Sequence, residues 1–393
     1  MNLLTRYVLR EVLQIFLLTL TALTFFMLLV AAGKEAVSNG VGPKQVLEML
    51  PYFVPNALLF SIPGTILLAV SMVYGRMSNF GEIVAIKSLG ISPMAVITPT
   101  LIIATVLSFV TVWLNDVAVS WGTQGIATVL VNSIEDIMYG MLRTNKAFST
   151  KTFSIVVREV RGRVLVDPVI TYDPGGDGPK ITITAREAEL RSVPGSGMLT
   201  MIFRDGQVEA DGNSFVFDDY EQEVPLPDVA GKGIGVVSPS NMSMRHIPSQ
   251  IIKQQEAMER AEQLLAAKAG YRMMTGDFAE LGGAAWSSQA SSLNTFKSTL
   301  NKLKTEPPRR WATGFSCLCF ALVGVPLAIR LRNSDVLTSF FLCFLPILLI
   351  YYPLMLVGLD RSKAGAIPPM TVWVANLILV LWGVWLLRRV IRY

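Results

Sequence analysis

The sequence predicts a membrane α-helical protein of six transmembrane helices, arranged 3+3 around an inserted β-rich domain of sandwich or jelly-roll type. Three observations carry this prediction. Hydrophobic residues make up 52% of the 393-residue chain and charged ones only 16%, against roughly 25% charged in an average soluble protein. The charges are unevenly placed: residues 119–310 hold 43 of them, residues 1–118 hold 11 and residues 311–393 hold 9. Within the middle segment, short runs alternate polar and apolar residues with the two-residue period of a strand.

A spanning helix needs about 20 apolar residues, and residues 12–32, "VLQIFLLTLTALTFFMLLVAA", supply the first. That run exceeds the roughly 7–15 residues of a signal-peptide core and is read as an anchor. The second and third runs cover residues 52–74, with Pro55 and Pro63, and residues 94–115. Prolines are tolerated in a membrane helix when neighbouring helices satisfy the freed carbonyls. Beyond the polar middle lie residues 311–329, 336–357 (with Pro346 and Pro353) and 368–387. No Asp, Glu, Lys or Arg falls within these six runs, so an intramembrane proton relay or aspartyl protease has no candidates.

Lys and Arg in short loops are retained in the cytoplasm. With the N-terminus inside, the inner side receives nine (Arg6, Arg10, Arg76, Lys87, Arg330, Arg332, Arg388, Arg389 and Arg392) and the outer side four: Lys34, Lys44, Arg361 and Lys363. Both termini are then cytoplasmic, and three spans carry residues 119–310 to the outside. The expected organisation is residues 1–118 for the first three spans, 119–310 for the outer region and 311–393 for the last three spans.

The outer region opens with a helical stretch and turns to strands from about residue 146, giving a β module over about 146–230. "KITITAREAEL" sets Ile181, Ile183 and Ala185 on one face and Thr182, Thr184 and Arg186 on the other. "MLTMIFRDGQVEA" reads as a strand ending in an Asp205-Gly206 hairpin turn, and "SFVFDDYEQEVPL" as a further strand. Residues 231–235, Gly-rich but without dinucleotide-binding spacing, read as a flexible link. A helical linker over about 245–310 follows. Ile251, Gln255, Met258, Ala261 and Leu265 lie along one stripe of its first part, while the Ser-rich residues 270–310 show no clear element.

Composition also excludes function classes. The +5 net charge and pI near 9.1 do not indicate nucleic acid, because the middle segment carries 21 basic and 22 acidic residues and the excess lies in the apolar ends. There it reports membrane orientation rather than phosphate-backbone binding. A single histidine, His246, rules out His-based triads and multi-His metal sites and reads as a loop residue. Cys317, Cys319 and Cys343 fall in apolar runs and read as packing residues. No metal or other cofactor is expected, and no catalytic residue. No Gly-x-x-x-x-Gly-Lys-Ser/Thr loop occurs, so ATP-driven work needs another subunit.

Three groups of residues invite a functional reading beside a structural one. In "GRMSNFGEIVAIKSLGISP", Asn79 and Glu82 have capping-box spacing, Ile83 and Ile86 share a face, and Gly90 can end a helix. The short amphipathic helix is either a plain connector or a docking helix with Glu82 as its charged contact, flanked by Arg76 and Lys87. Lys34, Lys44, Arg361 and Lys363 either snorkel at helix ends or neutralise lipid head-group phosphates. Ile181, Ile183, Leu199, Met201, Phe203, Phe215 and Phe217, placed inward by periodicity, either fill a core or line a groove for acyl chains.

The chain resembles the F and G permease subunits of the bacterial lipopolysaccharide-export ABC transporter. The likeness runs from "RYVLREVLQIFLLTLTALTFFML" through "IPGTILLAVSMVYGRMSNFGEIVAIKSLGIS" and "ITITAREAEL…LTMIFRDGQVE" to "ALVGVPLAIRLR" and the last span. It implies six spans with a periplasmic β-jelly roll after the third, and a coupling helix within residues 76–92 on which Glu82 meets a cytoplasmic ATPase dimer. It implies that Lys34 faces lipid A phosphates. It further implies an inner-membrane location, a second related permease, an LptC-like single-span subunit, a periplasmic bridge protein, and lipopolysaccharide as cargo. Lipoprotein permeases, a second transport reading, place the outer domain after span one; a membrane-anchored β-domain assembly protein is the non-transport alternative. Where the family often has an acidic residue and a His-Arg-Arg-like stretch before span four, this chain reads "TEPPRRWA". Glu306 and Arg310 stand at those positions, and the tandem Pro307-Pro308 sets the local geometry apart. Residues 270–310 are longer than the family pattern requires.

Overall fold

The computed structural model describes residues 3–38, 42–132, 134–149, 153–172, 181–192, 198–210, 213–225, 238–276, 283–331 and 336–392. The glycine link at 231–235 lies outside them. Two compact units emerge: one from Met1–Phe26, Pro55–Ser120 and Pro239–Tyr393, the other from Met27–Val54 and Trp121–Ser238.

Helices α1 (Leu3–Ser38), α2 (Pro43–Asn79), α3 (Glu82–Ser88) and α4 (Met94–Val117) come first, and a π-helical turn, Ala118–Thr123, leads into α5 (Gln124–Asn132) and α6 (Ile134–Asn145). After the strands come α7 (Ile247–Thr275), α8 (Ala284–Arg330), α9 (Val336–Pro346), α10 (Tyr352–Lys363) and α11 (Val374–Arg392). Among the described residues, six helical stretches are long and apolar enough to cross a membrane: Leu3–Val37, Pro43–Asn79, Met94–Leu130, Ser291–Arg330, Thr338–Lys363 and Pro369–Arg392. Each overlaps one of the six apolar runs, and most extend beyond it, because backbone hydrogen bonding continues past the point where side chains turn polar.

The first unit is built around α8. Gly314 lets α4 approach so closely that a Cβ there would stand 2.3 Å from Val112 Cγ2 and 3.1 Å from the Ser108 carbonyl. Small residues at such crossings are what membrane helices use to gain packing contacts that lipid cannot supply. Asn376 Nδ2 donates to the Ala312 carbonyl at 2.8 Å and ties α11 to the same helix. Cys317, Cys319 and Cys343 are buried and free, as packing residues should be.

Within the expected helical linker over about 245–310, the Ser-rich residues 270–310 show no clear element in sequence, whereas the described part from Ala284 is the first half of α8, paired with α7 as a helical hairpin. Gln254 Nε2 donates to the Phe296 carbonyl and Lys297 pairs with Glu262. The stripe Ile251, Gln255, Met258, Ala261 and Leu265 is half-buried along its length.

In the second unit, eight strands form one antiparallel sheet of order β1-β2-β5-β6-β4-β3, with β7 on the other side of β6 and β8 beyond it. The short strands are β1 (Ala147–Ser149), β2 (Phe153–Val156), β3 (Glu159–Arg161), β4 (Val164–Val166) and β5 (Val169–Tyr172). The long ones are β6 (Ile181–Ser192), β7 (Met198–Ala210) and β8 (Asn213–Pro225). The expected turn at Asp205-Gly206 does not form. β7 passes through it in constant register, with Arg204 opposite Asp219 and Gly206 opposite Phe217, and Asp205 takes a φ of 49° as a local kink. The dipeptide's tolerance of positive φ is used to bend a strand rather than to reverse it.

Helix α6 closes one face of this sheet with Met138, Tyr139 and Leu142, which join Ile155, Leu165, Ile170, Ile183, Leu190, Met201 and Phe203 in a buried cluster. Tyr139 donates its hydroxyl proton to the Arg163 carbonyl at 2.5 Å and accepts from the Leu190 N–H at 2.9 Å. Burial pushes its phenol above the ordinary value of 10.0.

Candidate functional site

The loop between α2 and α4 folds as expected in part. Ile83 and Ile86, three apart, are both buried, burial worth roughly 1.5–3 kcal/mol per side chain. Phe80, Val84 and Leu89 remain exposed on the outer side. Gly90, at φ 75°, closes the helix: its N–H bonds the Lys87 carbonyl at 3.0 Å, and the Ile91 N–H reaches the Ile86 carbonyl at 3.2 Å, the paired bonds of a Schellman motif. Glu82 in the first turn and Lys87 in the last complement the helix dipole.

Two expectations need correction. Asn79 does not cap this helix; it is the last residue of α2, and Gly81, at φ 72°, occupies the N-cap without a side-chain bond. The short helix is also narrower than residues 76–92, because α2 continues through Arg76. That arginine ion-pairs with Glu11 and donates to Tyr7 Oη at 3.1 Å, joining α2 to α1. Lys87 faces inward: its ammonium donates to the Val390 carbonyl at 2.7 Å, near the end of α11. Ser78 Oγ likewise reaches the Ile329 carbonyl at 2.7 Å, near the end of α8. The ends of α1, α2, α3, α8 and α11 thus meet in one polar-bonded junction, with the apolar side of α3 as its outer surface.

The four outer cations divide between units. Lys34 and Lys44 belong to the second, both exposed; Arg361 and Lys363 end α10 in the first, one exposed and one half-buried. Of the apolar residues placed inward by periodicity, Ile183, Met201 and Phe203 are buried, and Ile181 and Phe217 pack against them. Phe215 departs from the expectation at 66% exposed. It sits on the last strand of the sheet, opposite Val208, where no further strand or helix covers that face among the described residues. Leu199 pairs with Ser192 and Val224 along the backbone, and its side chain lies outside what is described.

A buried charge cluster, only half legible in the sequence, centres on α8. Glu306 and Arg310 are both completely buried. The helix carries them through Pro307 and Pro308, although two missing N–H groups leave carbonyls one turn earlier without their usual donors. Arg310 Nη2 donates to the Met242 carbonyl at 2.6 Å, Nη1 stands 3.5 Å from Asp116 Oδ1, and Nε stands 3.7 Å from Glu306 Oε2. Glu306 Oε2 also accepts from Arg309 Nη2 at 2.6 Å, and its Oε1 accepts from Ser240 Oγ at 3.0 Å. Asp116 takes the Met244 N–H at 2.7 Å. Two arginines and two carboxylates balance, which is what permits charges at such depth. Glu306, Arg309 and Arg310 at i, i+3 and i+4 could have announced a one-faced cluster, but Asp116, 190 residues earlier, carries no such signal.

No curated protein matches the chain in a sequence search. A family model described as lipopolysaccharide export system permease LptF/LptG matches residues 6–389.

Proposed function

We propose, from the premise that this chain belongs to the lipopolysaccharide export permease family LptF/LptG, that it is one half of an ABC-type permease extracting lipopolysaccharide from the inner membrane. A permease of this family is a membrane subunit and not itself the ATPase, in keeping with the missing nucleotide-binding loop. In our reading both termini are cytoplasmic and the sheet is a periplasmic jelly roll inserted between two sets of three spans. The charge pattern supports this orientation. Arg310 precedes Arg330 by 20 residues, about 30 Å of helix, the thickness of the hydrocarbon core. The buried cluster and the arginine-rich end of α8 would then mark the two membrane faces.

The observation that carries the coupling role is α3. It is short, anchored by Ile83 and Ile86, closed at both ends by glycine, and it presents Phe80, Val84 and Leu89 outward beside Glu82. An ATPase dimer receiving that surface would push on a junction already bonded through Arg76 and Lys87 to α1 and α11. Nucleotide-driven closure would be passed to the whole helical unit, and the work is mechanical rather than covalent. Lys34, Lys44, Arg361 and Lys363 would meet head-group phosphates, and the exposed Phe215 beside Phe217 would continue an acyl-chain path along the sheet. A second related permease would complete the cavity, with an LptC-like subunit and a periplasmic bridge receiving the cargo.

The test is Glu82→Arg. Reversing a charge at an interface costs tenfold or more in association, on the order of 2 kcal/mol. Co-purification of the ATPase and lipopolysaccharide export should both fall, while membrane insertion of the chain stays normal. Unchanged association and export would remove the coupling role.

A further inference from the structure

The junction contains a pocket to which the coupling and cargo readings assign no ligand, although its Lys87 also bonds α3 to α11. Lys87, Arg330 and Arg389, with Ile329 and Val390, line a pocket of about 430 Å³. It opens where α8 and α11 end: Arg330 is in the last turn of α8, and Arg389 and Arg392 are in the last turn of α11. Two helix C-termini contribute roughly half a negative charge each, so three cations exceed what the dipoles require by about two charges. Lys87 spends one of its three donors on the Val390 carbonyl, and among the described residues no acidic side chain lines the pocket. Residual positive charge of that size suits a phosphate.

The surface below the pocket indicates what carries the phosphate. Arg389 lies over the Trp385 ring, 4.3 Å from its centroid. From there an exposed apolar stripe descends α11 at helical spacing through Trp385, Leu381 and Ile378. A free anion would have no use for the stripe. A diacyl lipid would lay its chains along it, with the indole at the interfacial level where tryptophan is favoured.

We infer that the end of α11 is a binding site for an anionic phospholipid, its phosphate held by Lys87, Arg330 and Arg389 and its chains against Trp385, Leu381 and Ile378. Basic pockets between membrane helices bind lipid head groups in this way. The site rests on the membrane reading above but not on the cargo.

The full-length chain, with whatever subunits co-purify, is delipidated and titrated with phosphatidylglycerol, phosphatidylcholine or inorganic phosphate, bound molecules being counted by native mass spectrometry. Phosphatidylglycerol should bind at least tenfold tighter than phosphatidylcholine, and inorganic phosphate should not displace it. Arg330→Gln with Arg389→Gln should erase the preference, by roughly 30-fold for two charges, and Arg330→Lys with Arg389→Lys should keep most of it. Equal binding of the two lipids, displacement by inorganic phosphate, or a preference that survives the glutamine pair would overturn the inference, as would a pocket filled only by a protein subunit. Lipopolysaccharide export is not read in this assay, so its outcome is independent of the proposed transport function.

Discussion

Arg310 is fully buried, and its guanidinium has two carbonyls, Met242 at 2.6 Å and Ser240 at 3.3 Å, two carboxylates at longer range and no water-exposed edge. Removing one partner of such a pair leaves a charge uncompensated, at a cost of about 3–5 kcal/mol. Glu306→Gln and Arg310→Met should therefore each lower the thermal stability of the purified protein sharply, and the double variant should lose less than the sum of the two. An additive double variant would mean the charges do not interact. Tyr139 offers a second residue-scale test. Phenylalanine there leaves the Leu190 N–H unpaired in the sheet core and should cost about 1–3 kcal/mol, read as a lower midpoint of β-unit unfolding. The raised phenol pKa sets the sign of the pH effect. A group whose pKa is higher folded than unfolded stabilises fully below 10.0 and loses that contribution as pH rises through the folded value. The unfolding midpoint should begin to fall above pH 10 in the wild type, and less in Tyr139→Phe.

At the scale of elements, Gly314 sets how near α4 and α8 lie. Leucine there would place atoms on Val112 and the Ser108 carbonyl, and overpacking of that kind costs about 1–3 kcal/mol or more. Cysteine pairs across the two helices should cross-link less readily in Gly314→Leu, and an unchanged yield would place the helices further apart than described. The six spans were legible because each is a long uncharged run, and Ile83 with Ile86 because two apolar residues three apart define a helical face. Pro307 and Pro308 hid the continuity of α8. Local sequence argues for a break there, while burial of Glu306 and Arg310 among partners distant in sequence holds the helix together. Asp205-Gly206 misled for a related reason: the dipeptide permits a turn, but the pairing of β7 with both β6 and β8 decides that the strand continues. Phe215 follows the period of its strand, yet periodicity assigns only a face, and burial depends on whether another element covers it.

For the whole molecule, the sequence separates two apolar ends from a near-neutral middle, and the structure turns this into a helical unit and an antiparallel sheet unit. The family establishes lipopolysaccharide export as the setting. The coupling helix, the outer cations and the sheet face are proposals about how this chain takes part. They make one joint prediction: cargo touches this chain at two places, the head group near Lys34 and the acyl chains near the sheet. The most direct measurement places a photo-crosslinking amino acid at Lys34 and, separately, at Phe203 or Phe215, in cells making lipopolysaccharide. The account predicts lipopolysaccharide adducts at Lys34 and at Phe215, the sheet adduct disappearing when the ATPase is inactivated, with little at the buried Phe203 unless the sheet opens. Crosslinks to protein alone, with no lipopolysaccharide at any of the three positions, would contradict it.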